Sequence, residues 1–135
     1  MEIRYAQRCD FNAMSQCDRH LREEALRLAI EQRRVLIAEA DGKLAGWLRY
    51  GLFWDMIPFM NMLHFLECER GKGYGRLLTQ FWEEEMRKQG YERVMTSSQS
   101  DEYGQHFYTK MGYRAVGSFL LEGDVLEILF EKRLR

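Results

Sequence analysis

The chain of 135 residues is long enough for one substantial core, so a single domain over residues 1–135 is expected. Apolar residues at 46% and charged residues at 30% exclude a disordered segment, and 20 basic against 21 acidic side chains leave none of the basic excess that nucleic acid calls for. Cys9, Cys17 and Cys68 are odd in number and lack metal-ligand spacing, which predicts no metal and a reduced, cytoplasmic setting; no apolar run nears the roughly 20 residues of a membrane span.

In chain order, "EIRYAQ" (2–7) alternates as a short strand and lacks the apolar core of a signal peptide. Residues 10–33 turn helical, with Met14, Leu21, Ala25, Leu28 and Ala29 at helical spacing and Asp10 placed to cap the first turn. "RVLIAEADGKLAGWLRYG" (34–51) predicts a hairpin turning at Asp41-Gly42, a pair that tolerates positive φ. "LFWDMIPFM" (52–60) reads as an aromatic connector broken by Pro58. Exposing Phe53, Trp54, Ile57 and Phe59 together would be costly, so burial or a pocket lining is predicted for them. "NMLHFLEC" (61–68) is a third long strand, apolar enough to predict burial on both faces.

After the glycine-rich stretch "CERGKGYGRL" (68–77), Leu77, Leu78, Phe81, Trp82 and Met86 form the apolar stripe of a helix that Gly90 can end. Pairs of Glu83 with Arg87 and Glu84 with Lys88 are expected on its outer face. "YERVMTSS" (91–98) is a strand, and "DEYGQHFYTKMG" (101–112) is a short helix capped by Asp101 and stopped by Gly112. "YRAVGSFLL" (113–121) and "DVLEILFEKRL" (124–134) follow as two strands around Glu122-Gly123. The order β-α-β-β-β-α-β-α-β-β is that of an α/β domain with a mixed sheet.

The glycine-rich stretch admits two local readings. One is a flexible basic turn. The other is an anion cradle, in which Gly71, Gly73 and Gly75 let amides converge at a helix N-terminus while Arg70, Lys72 and Arg76 add charge. It lacks the Lys-Ser or Lys-Thr of a Walker loop, and reading from Gly71 the dinucleotide pattern fails at its last glycine.

Arg70-Gly71-Lys72-Gly73-Tyr74-Gly75 does resemble [Q/R]-x-x-G-x-[G/A], the pyrophosphate loop of the GCN5-related N-acetyltransferases. "DEYGQHFYTKMGY" (101–113) resembles that family's N-x-x-A-x-x-F-Y-x-K-x-G-[F/Y], and with the matching element order the resemblance covers nearly the whole chain. It implies a mixed, mostly antiparallel sheet with central splayed parallel strands flanked by helices, acetyl-CoA as co-substrate, no metal, and direct attack by an amine through a tetrahedral intermediate.

The resemblance also assigns roles. The main chain of Leu63, His64 and Phe65 would pair with pantetheine, one N–H facing the thioester carbonyl where negative charge develops. Arg70, Gly71, Lys72, Gly73, Tyr74, Gly75 and Arg76 would hold the pyrophosphate. Tyr108 would be the general acid toward the departing thiolate; its other reading is a core aromatic beside Phe107. Asp101 stands where many members have Asn, so its role is either a pantetheine contact or helix capping. Gly104 replaces the usual alanine, a change expected to be tolerated. Relatives often place a glutamate where this chain has Thr96, which leaves Glu67, His64 and Asp55 as candidate bases. Trp54 and Asp55 would offer a ring face and a counter-charge to a cationic acceptor, or else pack on the first helix. Cys68 has no nucleophilic role in direct transfer. A small-molecule amine is the favoured acceptor, with a protein N-terminus or lysine, or acyl-CoA binding without turnover, as alternatives. Neither nucleic acid nor membrane is an expected partner, and homodimers are common among relatives.

Overall fold

The structure is a computed structural model that describes residues 1–120 and 123–135. Strands β1 (Glu2–Tyr5), β2 (Val35–Ala40), β3 (Lys43–Phe53), β4 (Ile57–Phe65), β5 (Arg93–Gln99), β6 (Arg114–Leu120) and β7 (Leu126–Arg133) alternate with helices α1 (Phe11–Cys17), α2 (Glu23–Glu31), α3 (Tyr74–Lys88) and α4 (Gly104–Lys110). The strands run in the order β1-β2-β3-β4-β5-β7-β6. β4 and β5 are parallel, whereas β1–β2, β2–β3, β5–β7 and β6–β7 are antiparallel, the mixed sheet the element order predicted. Two compact units divide the chain: Met1–Gly51 with Met62–Trp82, and Leu52–Asn61 with Glu83–Arg135.

In the first unit, Met14, Leu26 and Ile30 of α1 and α2 pack with Val35, Ile37 and Trp47 of β2 and β3. Asp41 (φ 53°) and Gly42 (φ 75°) form the predicted tight turn. The single helix expected over residues 10–33 is instead two. α1 stops at Asp18, whose backbone leaves the helical region while its fully buried carboxylate meets Arg49 Nε at 2.9 Å. A buried charge needs its partner, and here that requirement overrides helical periodicity. Asp10 is not the expected cap either. Its backbone is itself helical, and its carboxylate accepts from both Arg4 terminal nitrogens (2.7 and 2.8 Å) and from Gln7 N–H (2.7 Å).

In the second unit, β7 lies between β5 and β6, and Tyr108 of α4 packs on Phe130 of β7 at 6.0 Å. The predicted aromatic connector is the tip of a hairpin. β3 continues to Phe53, Trp54 (φ 56°) and Asp55 (φ 60°) turn left-handed, and Met56 N–H donates to Phe53 O at 3.0 Å. This overturns the burial predicted for Trp54. A two-residue turn throws its side chains outward, and Trp54 is 75% exposed with its ring against Phe53. Ile57 is buried, and Phe59 stacks on Phe53.

β4 is not buried on both faces as predicted: Asn61 is exposed and residues 62–64 are half-buried. The α3 stripe is correct for Leu78, Trp82 and Met86, but Leu77 faces out. Glu83 does not pair with Arg87 on the surface. It is 4% exposed, accepting from Tyr113 Oη (2.8 Å) and Lys132 Nζ (2.9 Å). Arg87 pairs with Glu84 instead, and Lys88 with Glu85. Asp101 does not cap α4; Tyr103 holds that position without a side-chain bond, while Gly112 (φ 92°) follows the helix end as predicted. Of the turn predicted at Glu122-Gly123, Glu122 lies outside the described residues.

Candidate active site

In the first unit, the chain leaves β4 at Phe65 and passes through a short 3-10 turn, Glu67–Glu69, before α3. Leu66 N–H donates to Ala45 O (2.8 Å), and Arg70 Nε reaches back to Phe65 O (2.8 Å). The Arg70 side chain thus ties the loop to the strand end. Gly71 (φ 77°) and Gly73 (φ 80°) are both left-handed, and a Cβ on either would meet no atom within 4 Å. Backbone dihedral, not crowding, demands glycine there, and the bend leaves open space beside it. Gly75 differs from expectation: it lies inside α3, where its carbonyl accepts from the buried Thr79 hydroxyl at 2.8 Å.

The first amides of the 15-residue α3 have no partner within the helix, and the helix dipole adds positive potential there. Two left-handed glycines just ahead of such an N-terminus build a concave run of N–H groups suited to a pyrophosphate. Lys72 is exposed and pairs with Glu69 at 3.2 Å, so part of its charge is already answered. Tyr74 packs against Phe65 at 6.0 Å.

His64 is half-buried, its ring 4.9 Å from Trp47. Burial foremost, and then the Arg70 charge, push its pKa below the usual imidazole value, so the ring is neutral at pH 7. Glu67, expected on the central strand, is exposed in the 3-10 turn beyond it. Sequence reasoning missed Gly46 of β3. A Cβ there would lie 2.6 Å from His64 O and 2.5 Å from Phe65 Cδ1, so only glycine lets β3 pass these residues. A glycine inside an otherwise clean strand pattern was the available signal.

In the second unit, Tyr108 is 8% exposed, edge-on to Phe107 and flanked by Tyr113 and Phe130. Its hydroxyl points at Met60 Sδ (3.7 Å), beside Thr96, which donates to Met60 O (3.0 Å). The core-aromatic reading holds for the ring, and the hydroxyl faces β4. Burial raises the phenol's pKa, partly offset by the Thr96 hydroxyl, so the group stays protonated. The parallel ladder comprises Phe59↔Met95 and Met60↔Thr96; Leu63, His64 and Phe65 lie past its end. Behind Tyr108, Tyr113 donates to Glu83, with Lys132 on the other carboxylate oxygen. Nothing in the sequence separates Glu83 from its neighbours Glu84 and Glu85.

Asp101, Trp54 and Asp55 are exposed. At Gly104, a Cβ would lie 2.8 Å from Ser98 Oγ, so the alanine usual in relatives would force that hydroxyl to move. Among the described residues no group of three or more His, Cys, Asp or Glu could hold a metal ion, and no helix is long and apolar enough to cross a membrane.

The family model described as Acetyltransferase (GNAT) family matches residues 2–113. No curated protein matches the sequence. Among solved structures, the chain is similar to an acetyltransferase of the GNAT family from Bacillus cereus ATCC 10987 (20% identity, TM-score 0.83, covering 98% of this chain and 96% of that one). It is also similar to ribosomal-protein-alanine N-acetyltransferase from Brucella melitensis (18%, TM-score 0.84, 98% and 99% covered). A third similar structure is yncA from Salmonella typhimurium with its cofactor acetyl-CoA (16%, TM-score 0.84, 100% and 94% covered). At these identities the likeness is one of fold.

Proposed function

The chain belongs to the acetyltransferase (GNAT) family and is an acyltransferase, and on that premise we propose that it acts as one domain that moves acetyl from acetyl-CoA to the primary amine of a small molecule. The observation that carries this is the pair of left-handed glycines, Gly71 and Gly73, set before the α3 N-terminus and fixed by Arg70 on Phe65 O. Backbone amides there hold the pyrophosphate without needing any charge but the ligand's own. The main chain of Leu63, His64 and Phe65 pairs with pantetheine.

The amine attacks the thioester carbonyl in its neutral form, a backbone N–H of β4 stabilises the oxyanion, and the C–S bond then breaks. A coenzyme thiolate has a pKa near that of cysteine, about 8.5, well below that of a buried phenol. Tyr108 therefore stabilises the leaving sulfur by donating a hydrogen bond while keeping its own proton, and CoA departs as the thiolate. His64 is the best of the three candidate bases, because its imidazole is neutral at pH 7 and sits on the strand, whereas Glu67 and Asp55 are solvated in turns. Trp54 and Asp55, on the exposed hairpin tip, offer a cationic acceptor a ring and a carboxylate. The likeness to a ribosomal-protein-alanine N-acetyltransferase supports a protein N-terminal amine as the second acceptor class.

The test is calorimetry with CoA and acetyl-CoA, then CoA release with small primary amines set against a peptide beginning with alanine. Binding with release on small amines is the expected result. Release on the peptide alone would move the acceptor to protein N-termini, and a folded protein that ignores both coenzyme forms would end the enzymatic reading.

A further inference from the structure

In the second unit, β5 and β7 run antiparallel with Arg93 directly opposite Arg133. Directly opposed residues share a face of the sheet, and like charges in that position repel. Arg135 comes two residues after Arg133, and the three arginines line one surface cavity of about 160 Å³. Glu92 is the fourth lining residue, so three guanidiniums there face one carboxylate. The cluster stands apart from Tyr108, which packs on Phe130, the partner of Thr96. Arg93 precedes Thr96 by three residues, roughly 10 Å along the strand, and takes its other face.

The protein itself supplies little to balance these charges. Arg133 Nε stands 4.0 Å from Glu131 Oε1, beyond hydrogen-bond reach. Among the described residues, Arg93, Arg135 and Glu92 form no ion pair. Elsewhere Arg4, Arg49 and Arg87 each meet a carboxylate. The sheet thus holds two guanidiniums side by side, an unfavourable arrangement that an anion between them would reverse. Each guanidinium is a planar fork of N–H donors that matches the oxygens of a phosphate. Two forks from adjacent strands and a third from Arg135 suit a doubly charged tetrahedral oxyanion better than a lone carboxylate.

We propose that Arg93, Arg133 and Arg135 bind a phosphate group, either free phosphate or the phosphoryl end of a phosphomonoester. The cavity admits that group and leaves the body of any larger ligand outside. The site shares no residue with the glycine loop, and it stands whether or not the chain transfers acetyl.

Inorganic phosphate and phosphoserine are the probes, titrated by calorimetry at constant ionic strength with and without saturating CoA to occupy the glycine loop. One equivalent should bind in both cases. Arg93→Gln and Arg133→Gln should each raise the phosphate Kd about tenfold, whereas Lys43→Gln, an exposed control on β3, should change it less than about twofold. Tighter binding of phosphoserine assigns the site to a phosphorylated ligand, and tighter binding of phosphate assigns it to the free ion; both support the proposal. Without phosphate, Arg93→Gln should match or exceed the wild-type urea midpoint, because it relieves a repulsion, and added phosphate should raise the wild-type midpoint more than the variant's. Absence of binding by both probes, an affinity that neither arginine change alters, or expulsion of phosphate by CoA overturns the proposal. A lower midpoint for Arg93→Gln in the absence of phosphate counts against it too, since the arginine pair would then serve the fold.

Discussion

Between Gly71 and Arg76 the chain is shaped by dihedral angle, with Gly71 and Gly73 left-handed and the Arg70 side chain tying the bend to Phe65 O. Around Tyr108 the reverse holds: the backbone is ordinary helix and strand, and buried side chains set the geometry through Glu83, Tyr113 and Lys132. The first region should forgive changes of charge and punish changes of φ. The second should forgive neither a lost oxygen nor a lost ammonium, because each would strand its partners out of water.

The largest effect expected is on stability, from Glu83→Ala. Removing this 4%-exposed carboxylate leaves the Tyr113 hydroxyl and the Lys132 ammonium without their acceptor, at a cost of about 3–5 kcal/mol in urea unfolding. Glu83→Gln keeps an acceptor for one of them and should lose roughly half as much. An exposed-surface value, under about 1 kcal/mol, would mean that Glu83 is solvated after all.

Next comes Tyr108→Phe, which keeps the ring among Phe107, Tyr113 and Phe130 and removes a hydroxyl that meets Met60 Sδ and the Thr96 hydroxyl. Turnover should fall about a hundredfold while acetyl-CoA affinity and the urea midpoint hardly move. A parallel loss of affinity would assign the hydroxyl to binding.

The loop is probed by Gly73→Ala against Lys72→Ala. Alanine at φ 80° costs about 1–2 kcal/mol and should weaken CoA about tenfold by unbending the amides. Lys72→Ala removes an exposed charge already paired with Glu69 and should change affinity by less than about threefold. If the lysine change is the more damaging, charge rather than backbone shape holds the diphosphate.

The same contrast explains what was legible in the sequence. Elements of local origin read correctly: the Asp41-Gly42 turn, the stops at Gly90 and Gly112, and the basic glycine run before a helix are each decided by residues adjacent in the chain. Errors arose where distant partners decide. Asp18 ends α1 because Arg49, 31 residues away, must be met, and Glu83 turns inward for Tyr113 and Lys132, 30 and 49 residues away. Trp54 misled for a different reason. An aromatic cluster predicts burial on average, but the left-handed pair at residues 54 and 55 makes a hairpin tip that composition does not reveal. Of the proposed site, the loop and Tyr108 came from motif; Gly46 became visible only with the neighbouring strand in place.

The smallest effect is a pH dependence, and it separates His64 from Glu67 as the base. Burial holds the folded-state pKa of His64 below 6.5, so the unfolded chain binds a proton more readily there than the folded one. His64 therefore contributes a stability difference that is fully present above about pH 6.5 and is lost as pH falls through the folded-state value. The urea midpoint should slip modestly between pH 7 and pH 5, less so in His64→Gln. If His64 takes the acceptor's proton, the acid limb of kcat/KM should also lie below pH 6.5 and disappear in His64→Gln, whereas Glu67→Gln should leave it in place. A limb that survives in His64→Gln and vanishes in Glu67→Gln would move the base from the neutral imidazole on β4 to the solvated carboxylate of the turn.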